Sequence, residues 1–165
     1  DIILSGGAIS NDANHISGPS RTGDGLYLAI RQAMEEAAVL AEDVSFMNTH
    51  GTATVYNDEM ESKAIHLAGL ETVPVHSLKS YFGHTLGASG VIESIICIHE
   101  LKENVLFGTL GYEKPGVSMP ILVQADHQEI PMKHCIKTAS GFGGCNAAIV
   151  RSEERRVGKE CEFRG

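Results

Sequence analysis

Ser77-Leu78-Lys79-Ser80-Tyr81-Phe82-Gly83-His84-Thr85-Leu86-Gly87-Ala88-Ser89-Gly90 runs straight into Val91-Ile92-Glu93-Ser94-Ile95-Ile96-Cys97-Ile98, and this junction decides how the chain folds. The second part reads as a helix over Gly87–Glu103, apolar over much of its surface and therefore expected to be buried. The glycines at 83, 87 and 90 let backbone pack closely where the helix begins, and a helix N-terminus offers unpaired N–H groups. Just upstream, Val73–Val75 reads as a short strand. A strand leading through a glycine-rich loop into a buried helix is the repeating unit of a layered α/β sheet, whose sites lie where strands end and helices begin. The loop is neither a Walker loop nor a dinucleotide fingerprint, since GxxxxGK[ST] and GxGxxG are both missing.

Working outward, Ile2–Ile9 reads as a strand. Gly25–Ala41 carries apolar residues at helical spacing, with Thr22 or Asp24 as its cap. Val44–Met47 is a third strand. Asn57 is placed as the cap of a helix with Asp58, Glu59 and Glu61 in its first turn, where the dipole favours acids, and Gly69 ends it. Cys135–Ala139 and Ala147–Val150 form a final strand pair. The order β-α-β-α-β-α-β-β predicts an α/β fold with a mainly parallel sheet. Residues 1–150 are assigned to one domain. Residues 151–165, of which nine are charged, show no apolar period and read as a disordered or artefactual tail. The chain opens on Asp1 and enters a strand at once, which predicts further sequence upstream.

Composition narrows the function. The 165 residues are 42% hydrophobic, enough for a core, and the formal charge of -8 without a basic patch argues against nucleic acid. No apolar run is long enough to cross a bilayer. Cys97, Cys135, Cys145 and Cys161 lack CxxC spacing and read as reduced thiols of a cytoplasmic protein. The histidines lack metal-ligand spacing, so no metal is expected.

Three loops hold candidate chemistry. Asn48-Thr49-His50-Gly51-Thr52-Ala53-Thr54 places a histidine at a strand end beside small residues, a setting for a general base or hydrogen-bond donor. Ser77–Gly90 adds Lys79 and His84. Ser140-Gly141-Phe142-Gly143-Gly144-Cys145-Asn146 is a hairpin-like turn that sets one aromatic among glycines. Singly, each has a bland reading: a polar loop histidine, a packing turn, a glycine hairpin.

In combination, HGTAT, then Asn57-Asp58 and Glu61, then SLKSYFGHTLGASG, then GFGGCN resemble the β-ketoacyl-acyl-carrier-protein synthases in order and spacing, over residues 1–150. The resemblance implies the C-terminal half of a thiolase-like layered fold, with the nucleophilic cysteine in an upstream half. It implies an acyltransferase of fatty acid or polyketide biosynthesis. The enzyme would condense acyl and malonyl groups carried on the phosphopantetheine of acyl carrier protein, with no other cofactor. Acyl carrier protein would be its partner, in a homodimer or a heterodimer with a ketosynthase-like subunit, and this chain alone would be inactive. His50 and His84 match the pair that stabilises the malonyl enolate. Lys79 matches the lysine that orients them, and Glu93 the acid that braces it. Thr52 and Thr54 match hydroxyls that bind the pantetheine arm. Phe142 matches a gating aromatic whose N–H serves the oxyanion hole.

Two positions depart from the family pattern: Cys145 stands where threonine is common, and Ala53 where glycine or serine is usual. Thiolases also carry a cysteine in such a turn, but His50 within HGTAT favours the synthases. Carrier-independent initiating synthases have asparagine where His84 stands. The remaining alternative is a non-catalytic, chain-length-determining subunit, against which the retained His50, Lys79 and His84 argue.

Overall fold

The computed structural model of the chain describes residues 1–154. Strand β1 (Ile2–Asn11) is followed by helix α1 (Asp24–Ala37), β2 (Val44–Asn48), α2 (Val55–Leu67) and β3 (Val75–His76). A single turn, α3 (Lys79–Phe82), precedes the long helix α4 (Ser89–Glu103). Strands β4 (Val105–Leu106) and β5 (Gln128–Glu129) pair as a small ribbon, and β6 (His134–Gly141) and β7 (Cys145–Glu153) close the fold. The main sheet has the order β1-β7-β6-β2-β3. It is mixed: β2 is parallel to β3 and β6, while β7 is antiparallel to β6 and β1. The expected β-α-β-α-β-α-β-β order holds for the main sheet and its long helices, with α3 and the β4–β5 ribbon added, but β1 enters through β7 in place of a crossover, so antiparallel pairs in the main sheet equal parallel ones.

Strand alternation divides the interior in two. Met47, Ile136, Ala148 and Val150 face α1 and α2 and form the larger core with Leu26, Ile30, Met60 and Ile65. Phe46 and Cys135 face the other way and join Cys97, Leu101, Leu106 and Met132 under α4. Full burial of a side chain such as Phe46 stabilises by about 1.5–3 kcal/mol. At the crossing of α1 over β1, a Cβ on Gly6 would stand 2.3 Å from the Ala33 carbonyl oxygen, so only glycine fits.

Several local expectations are corrected. Thr22 and Asp24 do not cap α1; they bond each other, Oγ1 to Oδ2 at 2.8 Å, and Gly23 at φ 80° makes the entry. Asn57 lies inside the first turn of α2, which starts after Thr54, and its amide donates to Glu61 Oε2 at 2.8 Å. The helix α4 is not buried all round. It turns Glu93, Ser94, Cys97 and Glu100 inward and leaves Val91 64% and Ile95 49% exposed. Strand β7 runs three residues past the boundary set at 150, since Ser152 is buried against Ser5 and His134 and Glu153 pairs with Ile2. The remainder of the expected tail, residues 155–165 with Cys161, lies outside the described residues.

Candidate active site

Strands β2 and β3 are parallel and end side by side, so both deliver loops to one edge of the sheet. Thr49 is tied to β3 by its N–H on the His76 carbonyl at 2.9 Å. His50 follows, buried, with its backbone N–H on Glu61 Oε1 at 2.7 Å, and Gly51 donates to Glu61 Oε2 at 2.7 Å. Asn57 Nδ2 and Thr138 Oγ1 also donate to that carboxylate. Burial pushes the Glu61 carboxyl up, against the pull of the amide donors. Gly51 has φ 44°, and a Cβ there would come within 2.6 Å of Ser77. Ser77 Oγ instead donates to the Gly51 carbonyl at 2.9 Å and pins the two loops together.

The second loop brings His84 to His50, with ring centroids 5.1 Å apart and planes at 84°. His84 Nδ1 accepts the Leu86 N–H at 3.2 Å, so the neutral ring carries its proton on Nε2. His50 has its pKa lowered to about 3 by burial, then by the charges of Lys79 and Lys137 and by His84, with Glu93 opposing. It is therefore neutral at ordinary pH and carries one N–H. Lys79 Nζ donates to Glu93 Oε1 at 2.7 Å, and Ser89 Oγ donates to the same oxygen at 3.1 Å. Burial would raise Glu93, but the ammonium groups of Lys137 and Lys79 outweigh it and hold the carboxyl low. Burial also pulls the Lys79 pKa down, with Lys137 adding to the effect and Glu93 resisting it.

These loops open on a cleft of about 680 Å³ lined by Lys79, His84, Thr52, Thr54, Asp58 and Tyr112, among others. Thr52 and Thr54 share a hydroxyl–hydroxyl bond of 2.7 Å on its wall. Of the residues singled out in the sequence, six come together: His50, His84, Lys79, Glu93, Thr52 and Thr54. Phe142 does not join them. Its ring is 84% exposed at the tip of the β6–β7 turn, and it does not line the cleft. That turn is anchored by Asn146 Nδ2 on Asp12 Oδ1 at 2.7 Å and by the Gly143 N–H on the Ile16 carbonyl. Lys137 was not singled out. The signal was available: a lysine inside the apolar strand Cys135-Ile136-Lys137-Thr138-Ala139.

Among the described residues, one group could hold a metal: His76, Cys97 and Glu100, whose ligand atoms lie within 4.8 Å of one another. The three are buried beneath α4. His76 Nε2 stands 3.4 Å from Glu100 Oε2, and Phe46 packs on the imidazole. Burial alone would lower His76, but Cys97 and Glu100 raise it to about 9, so the ion pair already neutralises the cluster. Burial raises the Cys97 thiol well above its ordinary range, and Cys97 and Cys135 serve as core residues.

Comparison with known proteins decides the family. The family described as β-ketoacyl synthase, C-terminal domain, matches residues 2–113. The chain belongs to this family. A 3-oxoacyl-[acyl-carrier-protein] synthase 2 of Vibrio harveyi is 36% identical over 152 residues, 89% of this chain and 37% of that protein. The ketosynthase in complex with its chain length factor from Xenorhabdus doucetiae superposes with a TM-score of 0.86 at 30% identity, over 93% of this chain and 39% of that one. A structure of a type II polyketide acyl-carrier protein in complex with its ketosynthase, bound to the hexaketide, gives 0.84 at 29% identity, over 92% and 38%. The chain thus spans well under half the length of these β-ketoacyl synthases. It has the layered, thiolase-like half-fold of the ketosynthases.

Proposed function

We propose that the protein to which this β-ketoacyl synthase domain belongs condenses an acyl group with a malonyl group carried on acyl carrier protein, releasing carbon dioxide. The observation that carries this reading is the His50–His84 pair: two imidazoles at right angles, His84 on the wall of the cleft and His50 buried behind it, one neutral through burial and the other with its proton on Nε2.

The chemistry follows from those protons. A malonyl thioester oxygen placed between the two rings accepts both N–H groups. When the bond to the carboxylate breaks, its electron pair moves into the thioester, and the negative charge that grows on oxygen meets donors already in place. Such preorganised donors supply a large share of a catalytic barrier reduction. The enolate carbon then attacks an acyl thioester on the cysteine that the family keeps in its upstream half, and the cysteine leaves as thiolate. Thr52 and Thr54 on the cleft wall offer hydroxyls to the pantetheine arm. Partner proteins follow from the relatives: an acyl carrier protein, and a second ketosynthase-like subunit.

The test uses the full-length natural protein with an acyl-carrier protein, and peptide mass spectrometry locates the acyl adduct. An adduct on a cysteine upstream of Asp1, followed by a β-keto product that His84→Ala suppresses, supports the reading. Carrier binding without an adduct would make the protein a chain-length-determining subunit. An adduct on Cys145 would make it a thiolase.

A further inference from the structure

Strand β6 lies between β7 and β2, and Lys137 sits in it with 3% of its surface exposed. An ammonium in a central strand costs several kcal/mol unless charge and hydrogen bonds compensate it, roughly in proportion to how well they are arranged. Here they do. Lys137 Nζ lies against Glu93 Oε2 as an ion pair, and it donates to the Thr138 carbonyl at 2.6 Å and the Thr49 carbonyl at 3.4 Å. Glu93 is thus bracketed, with Lys137 on one oxygen and Lys79 on the other. Two ammonium groups share one carboxylate, and the Glu61 carboxyl stands close enough to act on both of them. The same Nζ touches three elements: its own strand, α4 through Glu93, and the end of β2 one residue before His50.

We propose that Lys137 is a positioning residue of the site, which fixes the Glu93 carboxylate and the Thr49 carbonyl together and places a second ammonium charge beside the His50 imidazole. The consequence for reaction deepens the ketosynthase reading and rests on it: the second ammonium charge favours an enolate forming against His50. The placement itself does not rest on that reading. His50 is surrounded by Lys79 and His84 from the β3–α4 loop, Lys137 from β6, Glu93 from α4 and Glu61 from α2. Deleting one cation from this set makes protonation of His50 easier.

The experiment uses the full-length protein with ¹⁵N-labelled histidine, His50 being assigned by the resonance lost in His50→Gln. The wild-type ring should titrate near pH 3. In Lys137→Met the midpoint should rise by about one unit or more, as expected for loss of a nearby like charge, and in Lys137→Arg it should stay low. Condensation kinetics should show kcat down about tenfold in Lys137→Met, with KM for the malonyl carrier little changed, as for an interaction made mainly in the transition state. If Lys137→Met does not fold, Lys137→Gln deletes the charge but keeps a donor for the two carbonyls and gives the same readout. An unmoved His50 midpoint in a folded, uncharged variant overturns the proposal. A moved midpoint in a protein whose wild type forms no product upholds the placement and sinks the ketosynthase reading instead.

Discussion

At the scale of single residues, the site depends on a few side chains whose protons are already assigned. Because His84 carries hydrogen on Nε2 in its neutral form and His50 is neutral, removing either ring would take one donor from the enolate of the proposed reaction. His84→Ala in the full-length protein should slow malonyl decarboxylation about 10²- to 10³-fold while leaving acylation of the nucleophile intact. Stopped-flow release of carbon dioxide and adduct mapping measure the two separately. Ala53 offers a second test. It stands where the family usually has glycine or serine, and its φ of 56° lies in the left-handed region. Ala53→Gly should stabilise the protein by about 0.5–1 kcal/mol, the relief of strain exceeding the entropy that glycine loses on folding; urea denaturation reads it. Much of this was legible in the sequence, since HGTAT and the GH motif named His50 and His84 directly. Lys137 was not, because a buried charge leaves no periodic signature: only its partner Glu93, 44 residues earlier in the chain, makes sense of it.

At the scale of elements, sequence pattern located strands and helices better than it located their ends or their faces. Helix α1 was visible from spacing and α2 from its acidic first turn and closing glycine, but their caps were misassigned because Thr22, Asp24 and Asn57 engage other side chains. Helix α4 was visible from composition, but its orientation was not. Its buried side is the one with Glu93 and Glu100, because partners for both acids wait on the sheet. The His76–Glu100 pair ties α4 to β3, and its pH dependence has a definite sign. His76 is raised to about 9 in the fold, so its contribution is complete below the unfolded value near 6.5 and is lost as pH rises through 9. Melting temperature of the full-length protein should fall across this window more steeply for the wild type than for a His76→Gln variant. Equal slopes would show that the pair holds no proton.

For the molecule as a whole, the chain spans 37% of its Vibrio harveyi relative, and part of its surface is apolar. Val91 and Ile95 on α4, with Ile3, Leu4 and Ile9 on β1, present apolar surface to solvent. Expressed alone, residues 1–154 should bind a hydrophobic dye and self-associate; a monomeric peak with a sharp, cooperative melt would count against this. The half-fold was readable because its motifs keep their order along the chain, whereas an exposed apolar helix face looks in sequence like ordinary core. Helix α4 has a further consequence. Glu93 lies inward, two residues beyond Val91, which points outward, so the charge network and the uncovered side ride on one rigid rod. A displacement of that rod would carry the carboxylate away from its two cations. Pressure on the outer flank, at Val91 or Ile95, would therefore be felt at the charge network within.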